Sequence, residues 1–303
     1  MNATRRHLMI GAGLWALGAC GARAQDSVLI EKRESQYNTI YIRREGKYVG
    51  MIFGVNRQLF TESLYNPADP KELPVIYTRY MTAALAYPTT LTSALEIGLG
   101  GGRTASYLNK HMPALALTCV ELDPQVIALA KKYFAVVETP TLRIVAKDGR
   151  SYLRMDDTKH DLIMIDAYRG TFVPFHLLTK EFFQMVKAHL KPGGVCAQNI
   201  EPTTMLYPAA IATLRSVFQH VDVYEADGNI VAVAYDGPAK TTDVLLARAK
   251  ALQTTYKFRH PLPDLFGYRQ MDIATPAGGR ALTDDFAPVD YLRATKRNNV
   301  KRS

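Results

Sequence analysis

Three carboxylates, Glu121, Asp148 and Asp166, each close an apolar run that reads as a β-strand, and a cluster of four glycines closes another. The runs are Thr118-Cys119-Val120 before Glu121, Leu142 to Ala146 before Lys147-Asp148-Gly149, Asp161 to Ile165 before Asp166-Ala167-Tyr168, and Ala94-Leu95-Glu96-Ile97 before Gly98-Leu99-Gly100-Gly101-Gly102. A strand that passes beside a ligand and then enters a helix needs a turn without side chains, because Cβ atoms would block both the tight backbone and the ligand. Ligands of open α/β sheets sit beyond the carboxyl ends of the strands, so these groups are expected to converge on one crevice. Asp148 and Asp166 have a second reading, as caps of the helices that follow.

Glu121 lies about 20 residues beyond the glycine turn, the spacing at which a carboxylate meets ribose hydroxyls. A pyrophosphate site would instead show G-x-G-x-x-G or a P-loop lysine at a helix N-terminus. Carboxylates around a short turn suit a ligand with hydroxyls, an amine and a positive centre. Coulomb attraction therefore favours a sulfonium, S-adenosylmethionine or its decarboxylated form, over a nucleotide. Either would be a co-substrate rather than a permanently bound cofactor. Gly98, Gly100, Gly101 and Gly149 are the glycines of this expected site.

The elements that must position these groups follow from periodicity. Residues 28–60 alternate in the strand manner, with Val28-Leu29-Ile30, Thr39 to Arg43 and Tyr48 to Phe53 as strands and Arg44-Glu45-Gly46-Lys47 as a hairpin turn. A helix is expected from about Leu73 to Tyr87, and others near 104–111, 124–134, 179–190 and 206–219. Gly193-Gly194 opens a strand from Val195 to Ile200, and Val221 to Tyr224 with Ile230 to Tyr235 closes the sheet as an antiparallel pair. Alternating strands and helices predict an α/β, methyltransferase-like (Rossmann-like) fold: a mostly parallel seven-stranded sheet, preceded by a small antiparallel N-terminal sheet. The expected division is an export signal over 1–25, a β domain over 26–72, the nucleoside-binding domain over 73–240 and a C-terminal extension over 241–303.

The formal charge of +9 on 303 residues suggests nucleic acid until it is located. Arg5, Arg6 and Arg23 lie in the first 24 residues, and Arg293, Lys296, Arg297, Lys301 and Arg302 in the last eleven, both stretches free of acids. Without these eight, 29 basic residues face 28 acidic ones, so no nucleic-acid partner is expected. Thr4 to Ile10 resembles a twin-arginine export signal, followed by an apolar run too short to span a bilayer. Leu17-Gly18-Ala19-Cys20 reads as a lipobox, which would anchor Cys20 to a membrane, whereas Ala22-Arg23-Ala24 reads as an ordinary cleavage site. The chain is thus expected in the periplasm or cell envelope, with a cytoplasmic location as the alternative. Cys119 and Cys196 lie in strand patterns and read as small core residues. With no C-x-x-C pair and the seven histidines scattered, neither a metal site nor a disulfide framework is expected. His160 and His176 read as surface or core residues rather than ligands.

Over residues 34–200 the chain resembles the spermidine synthase family of aminopropyltransferases, as a divergent bacterial member. Glu34 to Ile40 is similar to the family's opening S-x-Y-Q-x-I strand, Gln58-Leu59-Phe60-Thr61-Glu62 to its Q-L-T-E segment, and Gly98 to Gly102 to its glycine loop. Val120 to Asp123, Lys147 to Arg150, Ile165-Asp166-Ala167 and Pro174 to Phe183 keep the order of its later motifs, and Leu282 to Asp290 resembles a closing segment. The resemblance implies aminopropyl transfer from decarboxylated S-adenosylmethionine to an amine, with Gln58, Glu121, Asp148 and Asp166 contacting the donor, Asp166 and Tyr77 near the amine, and a homodimer.

Three departures bear on the substrate. The family's glycine loop carries an aspartate that holds the donor's ammonium, where this chain has Gly101. Its D-x-x-D loop reads Asp166-Ala167-Tyr168-Arg169 here, and its acid after Tyr-His is replaced in Tyr77-Thr78-Arg79. Arginine beside a diammonium acceptor costs roughly 1 kcal/mol or more at ~4 Å even in high dielectric, which argues against putrescine. Arg169 and Arg79 could clamp a carboxylate, on the acceptor or on intact S-adenosylmethionine, or simply face solvent. Tyr168 could order the loop over the ligand or pack on it. Two alternatives to aminopropyl transfer stand beside it: methyl transfer from S-adenosylmethionine, and an exported, non-catalytic binder of adenosyl thioethers or polyamines.

Overall fold

The computed structural model describes residues 27–55, 57–168 and 173–296. The leader over 1–25, the basic tail beyond 296 and Arg169 lie outside the described residues.

The chain opens with β1 (Ser27–Glu34), β2 (Thr39–Glu45), β3 (Tyr48–Val55) and β4 (Gln58–Tyr65), which form an antiparallel sheet in that order. The sheet has four strands where the sequence predicts three, because Gln58 to Tyr65 pairs back on β3. That pairing carries a bulge: Met51 faces Ser63 and Ile52 faces Thr61, so Glu62 is the extra residue. A bulge re-aims the side chains around it.

Next come α1 (Ile76–Met81), β5 (Ser93–Ile97), α2 (Arg103–His111), β6 (Ala116–Glu121), α3 (Pro124–Tyr133), β7 (Leu142–Ala146), α4 (Gly149–Met155), β8 (His160–Ile165), α5 (Lys180–Ala188) and β9 (Leu190–Ile200). They are followed by α6 (Leu206–Arg215), β10 (His220–Ala226), β11 (Asn229–Tyr235), α7 (Thr242–Tyr256), β12 (Arg269–Gln270) and α8 (Val289–Ala294). The expected helix over 73–87 is α-helical only through Met81 and continues as a tighter 3-10 turn over Thr82–Ala86, all of it buried. The main sheet has eight strands rather than seven, in the order β12-β10-β11-β9-β8-β5-β6-β7. The additional strand is the two-residue β12, which pairs with β10 at the edge. β9 starts ahead of Gly193-Gly194, whose residues fall within a register shift against β8.

β5 pairs in parallel with both β6 and β8. The chain thus builds outward from β5 through β6 and β7, then returns to the other side with β8. The sheet order reverses beside β5, where a crevice opens at the carboxyl ends of the strands. Alternate strand residues feed the two faces: Leu162 and Met164 of β8 join the core under α2, α3 and α7, while Ile163 and Ile165 join that under α4, α5 and α6. Cys119 and Cys196 are buried free thiols within these faces. Among the described residues no helix is long and apolar enough to cross a membrane.

Ion pairs fasten the C-terminal region to the main sheet and its helices, among them Arg269–Asp222 and Arg150–Asp284. Asp222 on β10 and Arg269 on β12 have no exposed side-chain surface and meet at 2.6 Å, and Tyr87 donates its hydroxyl to the same carboxylate at 2.8 Å. Arg150 on α4 grips Asp284 through both terminal nitrogens, and Thr179 donates to Asp284 at 2.7 Å.

Candidate functional site

At the switch point a cavity of about 260 Å³ is lined by the ends of β5, β6, β7 and β8 and by residues of the N-terminal sheet. Its floor is the glycine turn. Gly98 has φ +95°, and a Cβ there would lie 2.3 Å from the carbonyl oxygen of Asp166, so only glycine lets β5 and β8 end side by side. Gly149 likewise abuts Ile97, whose Cγ2 would stand 2.4 Å from an added Cβ.

Glu121 is oriented by the turn itself. Its Oε2 accepts the Leu99 N–H at 2.9 Å and its Oε1 the Asp123 N–H at 2.9 Å. Burial raises its pKa, and the backbone donors oppose this. Asp123 caps α3 by accepting the Gln125 N–H at 2.9 Å. Asp148 caps α4, its Oδ1 accepting the Ser151 N–H at 2.8 Å, and it is one of the residues that line the cavity. Its Oδ2 lies 2.7 Å from His176 Nε2, and that bond first, with the Ser151 bonds, holds the carboxyl down at about 2.

Among the described residues no helix begins at Asp166. Tyr77 donates its hydroxyl to Oδ2 at 3.1 Å and Asn199 its amide to Oδ1 at 2.9 Å, while Asn199 is itself fixed by Asn229 at 2.9 Å. Burial raises the Asp166 pKa, which makes it a better proton acceptor than a surface aspartate once a cationic ligand is present. Burial and the Asp166 charge hold the Tyr77 hydroxyl protonated, so it stays a donor. Beneath them Glu96, 3% exposed, is pushed up to about 8 by burial and then by Asp166.

The structure brings Tyr77, Gly98, Gly100, Glu121, Asp148, Gly149 and Asp166 to one cavity. Two expected members do not line it. Gln58 is exposed at the hairpin end of β4, opposite Val55. Four residues of strand separate it from Glu62, about 13 Å at the usual rise, and it is Glu62 and Ser63 that reach the cavity. Gly101 is buried behind the turn, where its N–H donates to Ser63 Oγ at 2.8 Å and a Cβ would meet Phe134 and Ser63 at 2.7 Å each. No side chain fits there. Arg79 also lies away from the cavity, donating through Nε to the Leu73 carbonyl at 2.7 Å, which removes the Arg79 half of the charge objection to a diammonium acceptor. Tyr168 lines the cavity and fastens its loop by donating to the Asn199 carbonyl at 3.0 Å. Sequence reasoning missed His176, Tyr37, Asn38, Glu62 and Ser63. His176 carried a signal, as a titratable group inside the Pro174 to Phe183 segment, whereas the others depend on how the N-terminal sheet docks.

Comparison with known proteins gives a consistent picture. The Spermine/spermidine synthase domain matches residues 76–233. A polyamine aminopropyltransferase of Vibrio vulnificus is 28% identical over 88% of this chain and 92% of its own length. Among solved structures, a probable spermidine synthase from Corynebacterium glutamicum superposes with a TM-score of 0.66 at 21% identity, covering 84% of this chain and 96% of that one. A spermidine synthase in complex with the transition state analogue AdoDATO gives a TM-score of 0.62 at 22% identity over 77% and 80% of the two chains.

Proposed function

Because the chain belongs to the spermine/spermidine synthase domain family, we propose that its cavity transfers an aminopropyl group from decarboxylated S-adenosylmethionine to a small amine. The observation that carries this is the convergence of Glu121, Asp148 and Asp166 on a glycine-floored cavity with no basic side chain among its described lining residues except His176. Such a rim attracts a cation and repels a phosphate.

In this reading Glu121 receives the ribose hydroxyls and Asp148, held by His176, receives the adenine amine. The donor's sulfonium then points its propyl carbon toward Asp166 and Tyr77. A neutral amine attacks that carbon, the C–N bond forms as the C–S bond breaks, and methylthioadenosine leaves as a neutral thioether. The proton lost by the amine goes to Asp166. Positioning supplies most of the acceleration, since the carbon already carries its leaving group.

Methyl transfer is less supported: the relatives that match 88% and 96% of this chain carry aminopropyltransferase names. The test is incubation of purified protein with each donor and with putrescine or other small amines, with products read by mass spectrometry. An aminopropylated amine together with methylthioadenosine is expected. S-adenosylhomocysteine as the product would replace the reading by methyl transfer, and binding without turnover would replace it by a carrier role. The proposal includes export through residues 1–25; a fusion of that segment to a reporter active only outside the cytoplasm tests it, and an inactive fusion overturns it.

A further inference from the structure

We propose that Glu62 is the donor-selecting residue of this cavity: its carboxylate receives the primary ammonium at the end of the donor's three-carbon arm and disfavours the α-carboxylate that intact S-adenosylmethionine carries at the same place. The inference rests on the aminopropyl reading above and names the group that decides which donor is used.

Three observations meet at this residue. First, the turn itself cannot supply an acid next to the sulfonium. Gly101 is enclosed by Phe134 and Ser63, and Gly100, at φ +51°, has Ser63 Oγ 3.0 Å from where its Cβ would be. Second, the strand that closes off the turn brings an acid with it. Ser63 is pinned beneath Gly101 by the 2.8 Å bond from its N–H, and the preceding residue, Glu62, is the one that the β3–β4 bulge inserts. The bulge therefore sets Ser63 as a wedge under the turn and carries Glu62 to the cavity wall. Third, Glu62 shares the cavity wall with Tyr77, Asp166 and Tyr168. Its negative field contributes to the raised pKa values of both Tyr77 and Tyr168, the two hydroxyls beside Asp166.

The other acids are each held by different neighbours. Glu121 is bound to the turn backbone, Asp148 to His176 and the α4 N-terminus, and Asp166 to Tyr77 and Asn199. Glu62 lines the same cavity as Tyr77 and Asp166 and directly precedes Ser63, whose hydroxyl accepts the Gly101 N–H, so it flanks the glycine turn beside which the donor's arm would run. An ammonium alone is attracted there. An ammonium with a carboxylate on the same carbon has little net charge to offer, and its carboxylate faces a like charge.

The experiment compares equilibrium binding of decarboxylated S-adenosylmethionine, intact S-adenosylmethionine and methylthioadenosine to the wild type, Glu62→Gln and Glu62→Asp. Methylthioadenosine has no charged arm and reports on the rest of the site. The wild type is expected to prefer the decarboxylated donor by about tenfold or more, on the scale of one close charge pair. Glu62→Gln should bring that preference toward unity while leaving methylthioadenosine affinity within about twofold, and Glu62→Asp should restore part of it. If methylthioadenosine binds all three proteins equally and the preference survives Glu62→Gln, the role of Glu62 is overturned and the aminopropyl reading stands. A wild type that binds no methylthioadenosine overturns both.

Discussion

Replacing Gly101 by alanine adds one methyl group to a place with no room for it. Its φ is not positive, so the effect is purely steric: the new Cβ would lie 2.7 Å from Phe134 Cδ1, 2.7 Å from Ser63 Cβ and 3.0 Å from Phe134 Cε1. With both neighbours fixed in packed elements, the backbone must move or Phe134 must leave its rotamer. Overpacking of this kind costs about 1–3 kcal/mol. In a chain of this size each kilocalorie lowers Tm by roughly 2–4 °C, so Gly101→Ala should melt about 5 °C lower, with a range of about 2 to 12 °C. Circular dichroism melts of purified protein measure it. Gly267→Ala is the matched control, since nothing lies within 4 Å of its Cβ position; it should stay within about 0.5 kcal/mol. Adding Ser63→Gly to Gly101→Ala removes one of the two obstructions and should recover part of the loss. A Gly101→Ala protein that melts with the wild type would show that a side chain fits at 101. The inference that the acid of this turn had to come from β4 would fall with it.

Asp166→Asn should lower kcat by about 10²–10⁴ with little change in methylthioadenosine affinity, as expected for loss of a proton acceptor; a comparable loss of binding would make Asp166 a binding group only. Tyr77→Phe removes a donor to the charged form of Asp166, so the Asp166 pKa rises further and the acidic limb of the pH–kcat profile moves to higher pH; an unmoved limb refutes the pairing. The Asp148 carboxyl is depressed from 3.8 to about 2 in the folded protein, so it stabilises the fold above pH ~4 and loses that effect as pH falls toward 2. The stability difference between wild type and Asp148→Asn in urea should accordingly shrink over that window. Arg269→Met strands the buried Asp222 charge and should cost about 3–5 kcal/mol by urea titration, far more than a surface arginine would.

Much of the cavity's strand-end wall is legible in the amino-acid order, because its groups sit where strands end and strand ends are easy to find. Glu121, Asp148 and Asp166 each follow an apolar run, and the parallel sheet brings them together without further help. Asp148 shows that capping a helix and lining the cavity need not compete, since one oxygen takes the Ser151 N–H and the other meets His176. The wall contributed by the N-terminal sheet is harder to read. Glu62 reaches the cavity only because one residue of β4 bulges, and period-two alternation gives no sign of where an insertion falls. Gln58 was expected at the donor on the strength of a motif that is one residue longer here, and the added residue moves the cavity-facing position along the strand. The short α4 and two-residue β12 escaped notice because a segment of two to seven residues carries too few periods to register. His176 lies in a loop, and its partnership with Asp148 follows from tertiary placement rather than spacing.

The Asp222–Arg269 clamp bears on how the nascent chain matures. Asp222 sits in the interior of a sheet whose other long strands are all complete by Tyr235, yet its cation is encoded 47 residues later. At a typical ~5–20 residues per second, the ribosome leaves that carboxylate without its counter-charge for roughly 2–10 s. Until Arg269 is in place, closing the sheet around Asp222 would bury an unneutralised anion, so the β12 segment is the one that permits the sheet to close there.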